Sequence, residues 1–437
     1  MTDEPPGAPT PHAPPPPGTV AVYRGATLFD GAGSPPRPGT TIVTDGGTIR
    51  AVGRDAAMTG GLPADAEVFD LDGRFVIPGL IDTHQHLATP PDRAVAEAAL
   101  RRQVYGGVTA VRDMADDLRQ VGDLARATLV GEIPGPDIRY AALMAGPGFF
   151  DDPRTHQVSR GAVPGEVPWM QAITSRTDLR LAVAVARGTH AAAIKIYADL
   201  DETLVAAVTA EAHRQNLAVW AHATVFPATP GQVVAAGVDS VSHVTLLAHE
   251  GAAAGTLTSY KDKPPVDRAR FAAGDDPRLA ELFALMRRRG TVLDATAGMW
   301  ASAELAGDTP ESAERARADS ALAAAVTAQA HRAGVAISTG TDYETPAADP
   351  FPALHEELAF LVRHCGIPPE DVLRSATLTG ARAAGTEATM GSVEAGKLAC
   401  FAVLEEDPLR DIGNLRSVTL TVKRGHRFDR AEFEEGR

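Results

Sequence analysis

The sequence predicts an α/β chain: a (β/α)8 barrel with a small β-sandwich-like domain built from both chain ends. Three observations predict it. Eight short apolar runs in the middle of the chain alternate with Ala-rich stretches of helical texture, the pattern of a parallel sheet with crossover helices. Brief strand-like runs broken by glycine turns stand at both ends. The chain of 437 residues is 44% hydrophobic but only 5% aromatic, enough to bury a large core of Ala, Val and Leu. The expected partition is a disordered Pro-rich arm at 1–18, a small β-domain at 19–75 and 390–437, and the barrel at 76–389.

The arm is dense in proline and holds almost nothing that could be buried, so it reads as disordered or polyproline-like. Strands are then expected at 20–23, 40–43, 48–52 and 67–70, with Asp45-Gly46-Gly47 as a hairpin turn. The same texture returns at 399–404 and 418–423. Barrel strands are expected at 76–87, 109–115, 137–145, 192–198, 217–223, 239–244, 291–297 and 335–342. Helices are expected at 201–215 and 320–333; the first has Glu202 early and His213 and Arg214 late, as the helix dipole favours. Two connections, 146–177 and 246–290, are too long for simple turns, and the second includes a helical stretch at 279–289. Both follow strands, so both fall on the C-terminal face as walls or lid of a pocket.

Composition narrows the function. With 41 Lys and Arg against 56 Asp and Glu, the net charge of −15 argues against nucleic-acid and anionic-membrane partners. No run approaches the roughly 18 apolar residues of a membrane span, and no basic-then-apolar leader opens the chain, so a cytoplasmic enzyme is expected. Cys365 and Cys400 are too few and too far apart for a disulfide scaffold or a thiolate cluster.

The chemistry gathers at strand ends. Val76 to Leu87 is an apolar run that finishes with His84 and His86, two imidazoles on one face of a strand and so a pair of metal ligands. Lys195 lies inside the apolar strand Ala193-Ile194-Lys195-Ile196-Tyr197, where a lysine is costly unless paired or chemically changed. The fifth strand ends in His222, the sixth in His243 and the eighth in Asp342. Together these six residues amount to a two-metal site, provided Lys195 carries carbon dioxide as a carbamate. His156 and His249, in the two long loops, are candidates to reach substrate.

The chain resembles the amidohydrolase superfamily, in its imidazolonepropionase-related and Xaa-Pro or Xaa-Arg dipeptidase-like branch. The resemblance rests on Pro78-Gly79-Leu80-Ile81-Asp82-Thr83-His84-Gln85-His86, Gly107-Val108-Thr109, Ile194-Lys195-Ile196, Ala221-His222-Ala223, Val241-Ser242-His243, Gly340-Thr341-Asp342 and Gly391-Ser392-Val393-Glu394-Ala395-Gly396-Lys397-Leu398-Ala399. It implies that His84, His86, Lys195 and Asp342 hold a buried divalent ion and that Lys195, His222 and His243 hold an outer one, with zinc the expected metal. It further implies attack by an activated water on an amide carbonyl, with Asp342 as proton carrier; Tyr197 is a candidate donor to the oxyanion, with a rim tyrosine that closes the barrel as the alternative reading. Two departures stand out: Cys400 where relatives often have an acid after Lys-Leu-Ala, and a segment at 145–152 that maps onto no family pattern.

The expected activity is hydrolysis of a C–N bond in a peptide or N-acyl amino acid, with tailoring of a modified natural-product peptide as a narrower possibility suggested by the two long loops. Hydrolysis of a small cyclic amide and single-metal deamination are the alternatives. Deamination is disfavoured because Ala223-Thr224-Val225-Phe226 follows His222 with no acid. A metal-free binding protein is the least expected, since all six ligand positions are filled. Partners are a small-molecule or peptide substrate, and a homo-oligomer is compatible with the sequence.

Overall fold

The computed structural model describes residues 10–54, 63–253, 255–305, 309–344 and 346–434. Eight parallel strands form the barrel: Leu80–Gln85, Val108–Asp113, Asp137–Ala145, Ala193–Ile196, Ala218–His222, Ser240–Ser242, Val292–Asp294 and Ile337–Ser338. Each pairs in parallel register with the next. Thr83 N–H donates to Thr339 O and Asp342 N–H to His84 O, both at 2.9 Å, and link the eighth strand back to the first. Several strands stop short of their expected ends because the chain turns at site residues. His243 at φ 71° and Asp342 at φ 58° lie just past strand geometry, in a left-handed region costly for residues with a Cβ.

The long apolar run at 76–87 is two strands rather than one. Phe75–Pro78 pairs antiparallel with Phe401–Leu404 in the small sheet, and Leu80–Gln85 opens the barrel. The hinge between them is Gly79, where a Cβ would lie 2.1 Å from Thr109 Oγ1. The small sheet has eight mixed strands from both ends of the chain and includes Val20–Leu28, Arg37–Asp45 and Thr48–Arg54. The expected hairpin at Asp45 is present, with Asp45 paired to Thr48. Tyr23, Leu28, Ile42, Ile49 and Phe401 fill this sheet's own core. Lys423 and Arg424 clamp it to the base of the barrel through Asp137, at 3.1 and 2.8 Å.

Helix caps explain where sequence periodicity fell short. The helix expected from residue 320 begins ten positions earlier, as Pro310–Arg332, with Thr309 capping it and proline at its first position. Pro277–Arg289 is stopped by Gly290 at φ 74°. The arm is also more ordered than expected from residue 10 onward. His12 N–H donates to Gly131 O at 2.9 Å and its ring stacks on Phe428, so this stiff proline-rich segment docks at little entropic cost. The first nine residues of that arm lie outside the described residues. Among the described residues no helix is long and apolar enough to cross a membrane.

Both long connections stand over the C-terminal face. The first forms Pro153–Gln157 and the strand Met170–Ala172, which extends the sheet beside Leu143 to Ala145. The second reaches across to the first, where Lys261 pairs with Asp151 at 3.1 Å, and to the turn after the fourth strand, where Tyr260 N–H donates to Asp199 Oδ1 at 2.8 Å.

Candidate metal centre

His84 and His86 leave the first strand with ring centroids 5.5 Å apart. Each is oriented from behind by a carboxylate: His84 Nδ1 lies 2.8 Å from Asp294 Oδ2, and His86 Nδ1 lies 2.8 Å from Asp116 Oδ1. With Nδ1 committed, Nε2 of each ring points at Asp342 Oδ1, at 3.7 and 3.5 Å. The ligand atoms of His84, His86 and Asp342 all fall within 4.8 Å of one another. Burial opposes protonation of His86, but the charges of Asp116, Asp342 and Asp113 prevail and raise it to about 9. His84 goes the other way, held well below the usual imidazole range by burial and then by the charge of Lys195.

His243 Nδ1 stands 3.7 Å from Asp342 Oδ2, and its ring is 4.7 Å from that of His222. His222 is 1% exposed, and its Nδ1 has no hydrogen-bond partner among the described residues. Such a buried, unpaired nitrogen costs stability unless something else coordinates it. Lys195, fully buried beneath the histidines, donates to Ser242 Oγ at 3.2 Å, and burial lowers its ammonium to about 7. The imidazole and carboxylate donors, backed by the acceptors behind them, fit a borderline divalent ion such as zinc.

Two further groups hold this arrangement. Asp294 Oδ1 accepts from Thr83 Oγ1 at 2.8 Å; its Oδ2 accepts from Ser242 Oγ at 2.9 Å and pairs with the buried Arg112 at 3.2 Å. Asp82 ties the first strand to the eighth by accepting from His84 N–H at 3.0 Å and Thr341 N–H at 3.1 Å. Gly340 allows the close approach, since a Cβ there would lie 2.2 Å from Asp294 Oδ1.

Above the ligands is a cavity of about 240 Å³. His84, His86, His222, His243 and Asp342 form its floor, and Leu143, Phe149, Val158 and Met170 an apolar wall. Tyr197 also faces it, with its ring 4.4 Å from Phe149 and 3.9 Å from His222. Burial, and then Tyr260, raise the Tyr197 phenol, which keeps it a donor at neutral pH. The two loop histidines do not line this cavity. His156 is exposed because residues 154, 155 and 158 of its short helical turn face inward, and His249 is buried against Phe226 at 5.2 Å.

Residues 75–427 match the amidohydrolase family. The chain belongs to that family. It is a hydrolase acting on C–N bonds. This amidohydrolase is 26% identical over 359 residues to an imidazolonepropionase of Symbiobacterium thermophilum, covering 78% of this chain and 77% of the relative. Its fold is similar to that of a Xaa-Pro dipeptidase crystallised with methionine in its active site, at TM-score 0.72 and 22% identity over 94% of this chain and 100% of the other. The A. niger ochratoxinase is similar to the same degree, at TM-score 0.72 and 22% identity over 94% of this chain and 96% of the other.

A further buried carboxylate in this amidohydrolase sets the loop after the seventh strand. Glu357 is fully buried and accepts from Ala297 N–H at 2.9 Å and Gly298 N–H at 2.6 Å. Burial outweighs these two donors and pushes its carboxyl up to about 8. A carboxyl raised on folding stabilises most below its unfolded value and loses that contribution as pH rises toward 8. Urea denaturation is therefore expected to show stability falling between about pH 5 and 8, by at most about 1.4 kcal/mol per pH unit from this group. The fall should shrink in Glu357→Gln; an identical slope in both proteins would assign it elsewhere.

Proposed function

We propose that this amidohydrolase uses divalent metal to hydrolyse the amide bond of a small N-acyl amino acid or dipeptide. The observation that supports it most is the convergence of His84, His86 and Asp342 within 4.8 Å beside a buried His222 nitrogen that lacks a partner. In this reading His84, His86, Asp342 and Lys195 would hold the inner ion, and His222, His243 and a carbamate on Lys195 the outer one, both zinc. A neutral amine is the form that takes up carbon dioxide, and burial of Lys195 near 7 favours it.

Bound metal supplies Lewis-acid polarisation of the carbonyl and a water acidic enough to react at neutral pH. Asp342 takes the proton from the attacking water and delivers it to the leaving nitrogen, as its place over the ligand group allows. Asp294 and Asp116 hold His84 and His86 with Nε2 turned to the site. Tyr197 donates to the oxyanion, and the apolar wall thins out competing water.

The cavity of about 240 Å³ lies below the ~300–1,000 Å³ of pockets for drug-sized ligands. That size favours a dipeptide-sized substrate over the long precursor of a tailoring step. The sequence similarity to imidazolonepropionase supports a cyclic amide as the second reading.

The experiment is release of free amino acid from a panel of dipeptides and N-acyl amino acids. Turnover should vanish with a chelator and return with zinc. Absence of turnover on every C–N substrate, with divalent metal supplied, would overturn the proposal.

A further inference from the structure

The cavity contains a fixed positive charge that the proposed reaction leaves unused. Among the described residues lining it, Arg154 is the only arginine or lysine. It is anchored from one side: Asp152 Oδ1 accepts from Arg154 Nε at 3.1 Å and from its backbone N–H at 2.9 Å, and Oδ2 accepts from Nη2 at 2.8 Å. That pairing occupies the Nε–Nη2 edge of the guanidinium. The Nη1 end has no partner among the described residues, and the side chain is 54% exposed. In a chain of net charge −15, a guanidinium held in place on the wall of a small cavity is not background charge.

A molecule filling this space meets three chemistries at once. The floor offers the metal ligands, the wall offers Leu143, Val158 and Met170, and Arg154 offers N–H groups of a planar fork suited to a carboxylate. An amino acid on the leaving side of an amide has that pattern: a scissile nitrogen, a side chain, and a carboxylate one carbon away from the nitrogen. Asp152 fixes the arginine in advance, so less freedom is lost when a second carboxylate arrives.

We infer that Arg154 receives the free carboxylate of the leaving amino acid, which makes the substrates N-acyl amino acids or dipeptides with an unblocked C-terminus and an apolar C-terminal residue. The inference rests on the C–N hydrolysis proposed above. The same carboxylate stays on the released amino acid, so the product binds at Arg154 too.

Paired substrates test it: N-acetyl-L-leucine and glycyl-L-leucine against their C-terminal carboxamides. Wild-type enzyme should prefer the free acids in kcat/KM by on the order of 10- to 100-fold, the worth of one charge-assisted hydrogen bond. Arg154→Met should bring that ratio near one. A ratio near one in the wild type, or a full preference surviving in the variant, would overturn the assignment. Calorimetric binding of L-leucine to the metal-loaded proteins reads the same contact without turnover. It should weaken by a similar factor in Arg154→Met, and equal binding by both proteins overturns the assignment. If neither substrate series is cleaved while leucine binding still depends on Arg154, the proposed reaction fails and the carboxylate site stands.

Discussion

Asp342→Asn is expected to lower kcat by on the order of 10²–10⁴-fold, the usual contribution of a positioned proton carrier. The amide keeps the shape and one ligand oxygen but cannot take a proton from water. Among the described residues lining the cavity, no second uncommitted carboxylate can stand in. Asp116, the other carboxylate there, is committed to His86 Nδ1 at 2.8 Å and Ala88 N–H at 2.6 Å, and it also accepts from Thr89 Oγ1. Charge accounts for Asp342's poise: burial raises its carboxyl, while His86 and Lys195 pull it back. The check is kcat and KM on a cleaved substrate, with metal content and thermal unfolding measured in parallel. A rise in KM alone would make Asp342 a binding group rather than the proton carrier.

Lys195→Ala is the second large effect. A fully buried lysine whose nearest acceptor is Ser242 Oγ at 3.2 Å gains little in the barrel floor as a plain ammonium. As a carbamate it would supply two anionic oxygens to the ions. Removing it should cost the outer ion and several kcal/mol of transition-state stabilisation, on the order of 10²–10³-fold in kcat/KM. Unchanged metal content and activity in the variant would leave Lys195 a structural residue and remove the carbamate from the account.

How much of this was legible in the chain depended on how local the signal was. His84, His86, Lys195, His222, His243 and Asp342 each interrupt or end an apolar strand, and a polar residue in that position is visible from sequence alone. Asp294 sends the same signal at the end of Val292-Leu293-Asp294, but its role of orienting His84 shows only in the closed barrel. Asp82 and Arg112 needed the closed barrel to meet their partners, which lie up to 271 residues away in the chain. Arg154 is less legible still, since its five-residue helical turn is too short to show in the sequence which side chain faces inward. The single-strand reading of residues 76–87 failed at Gly79 for a related reason: the contact with Thr109 that demands glycine is long-range.

Metal analysis by mass spectrometry tests the proposed two-metal hydrolytic centre most directly. Protein purified without chelator should contain about two divalent ions per chain and Lys195→Ala about one, in line with a site that polarises a carbonyl and activates water together. No divalent ion bound to the wild type under any condition would contradict the account and favour a barrel that binds without catalysing.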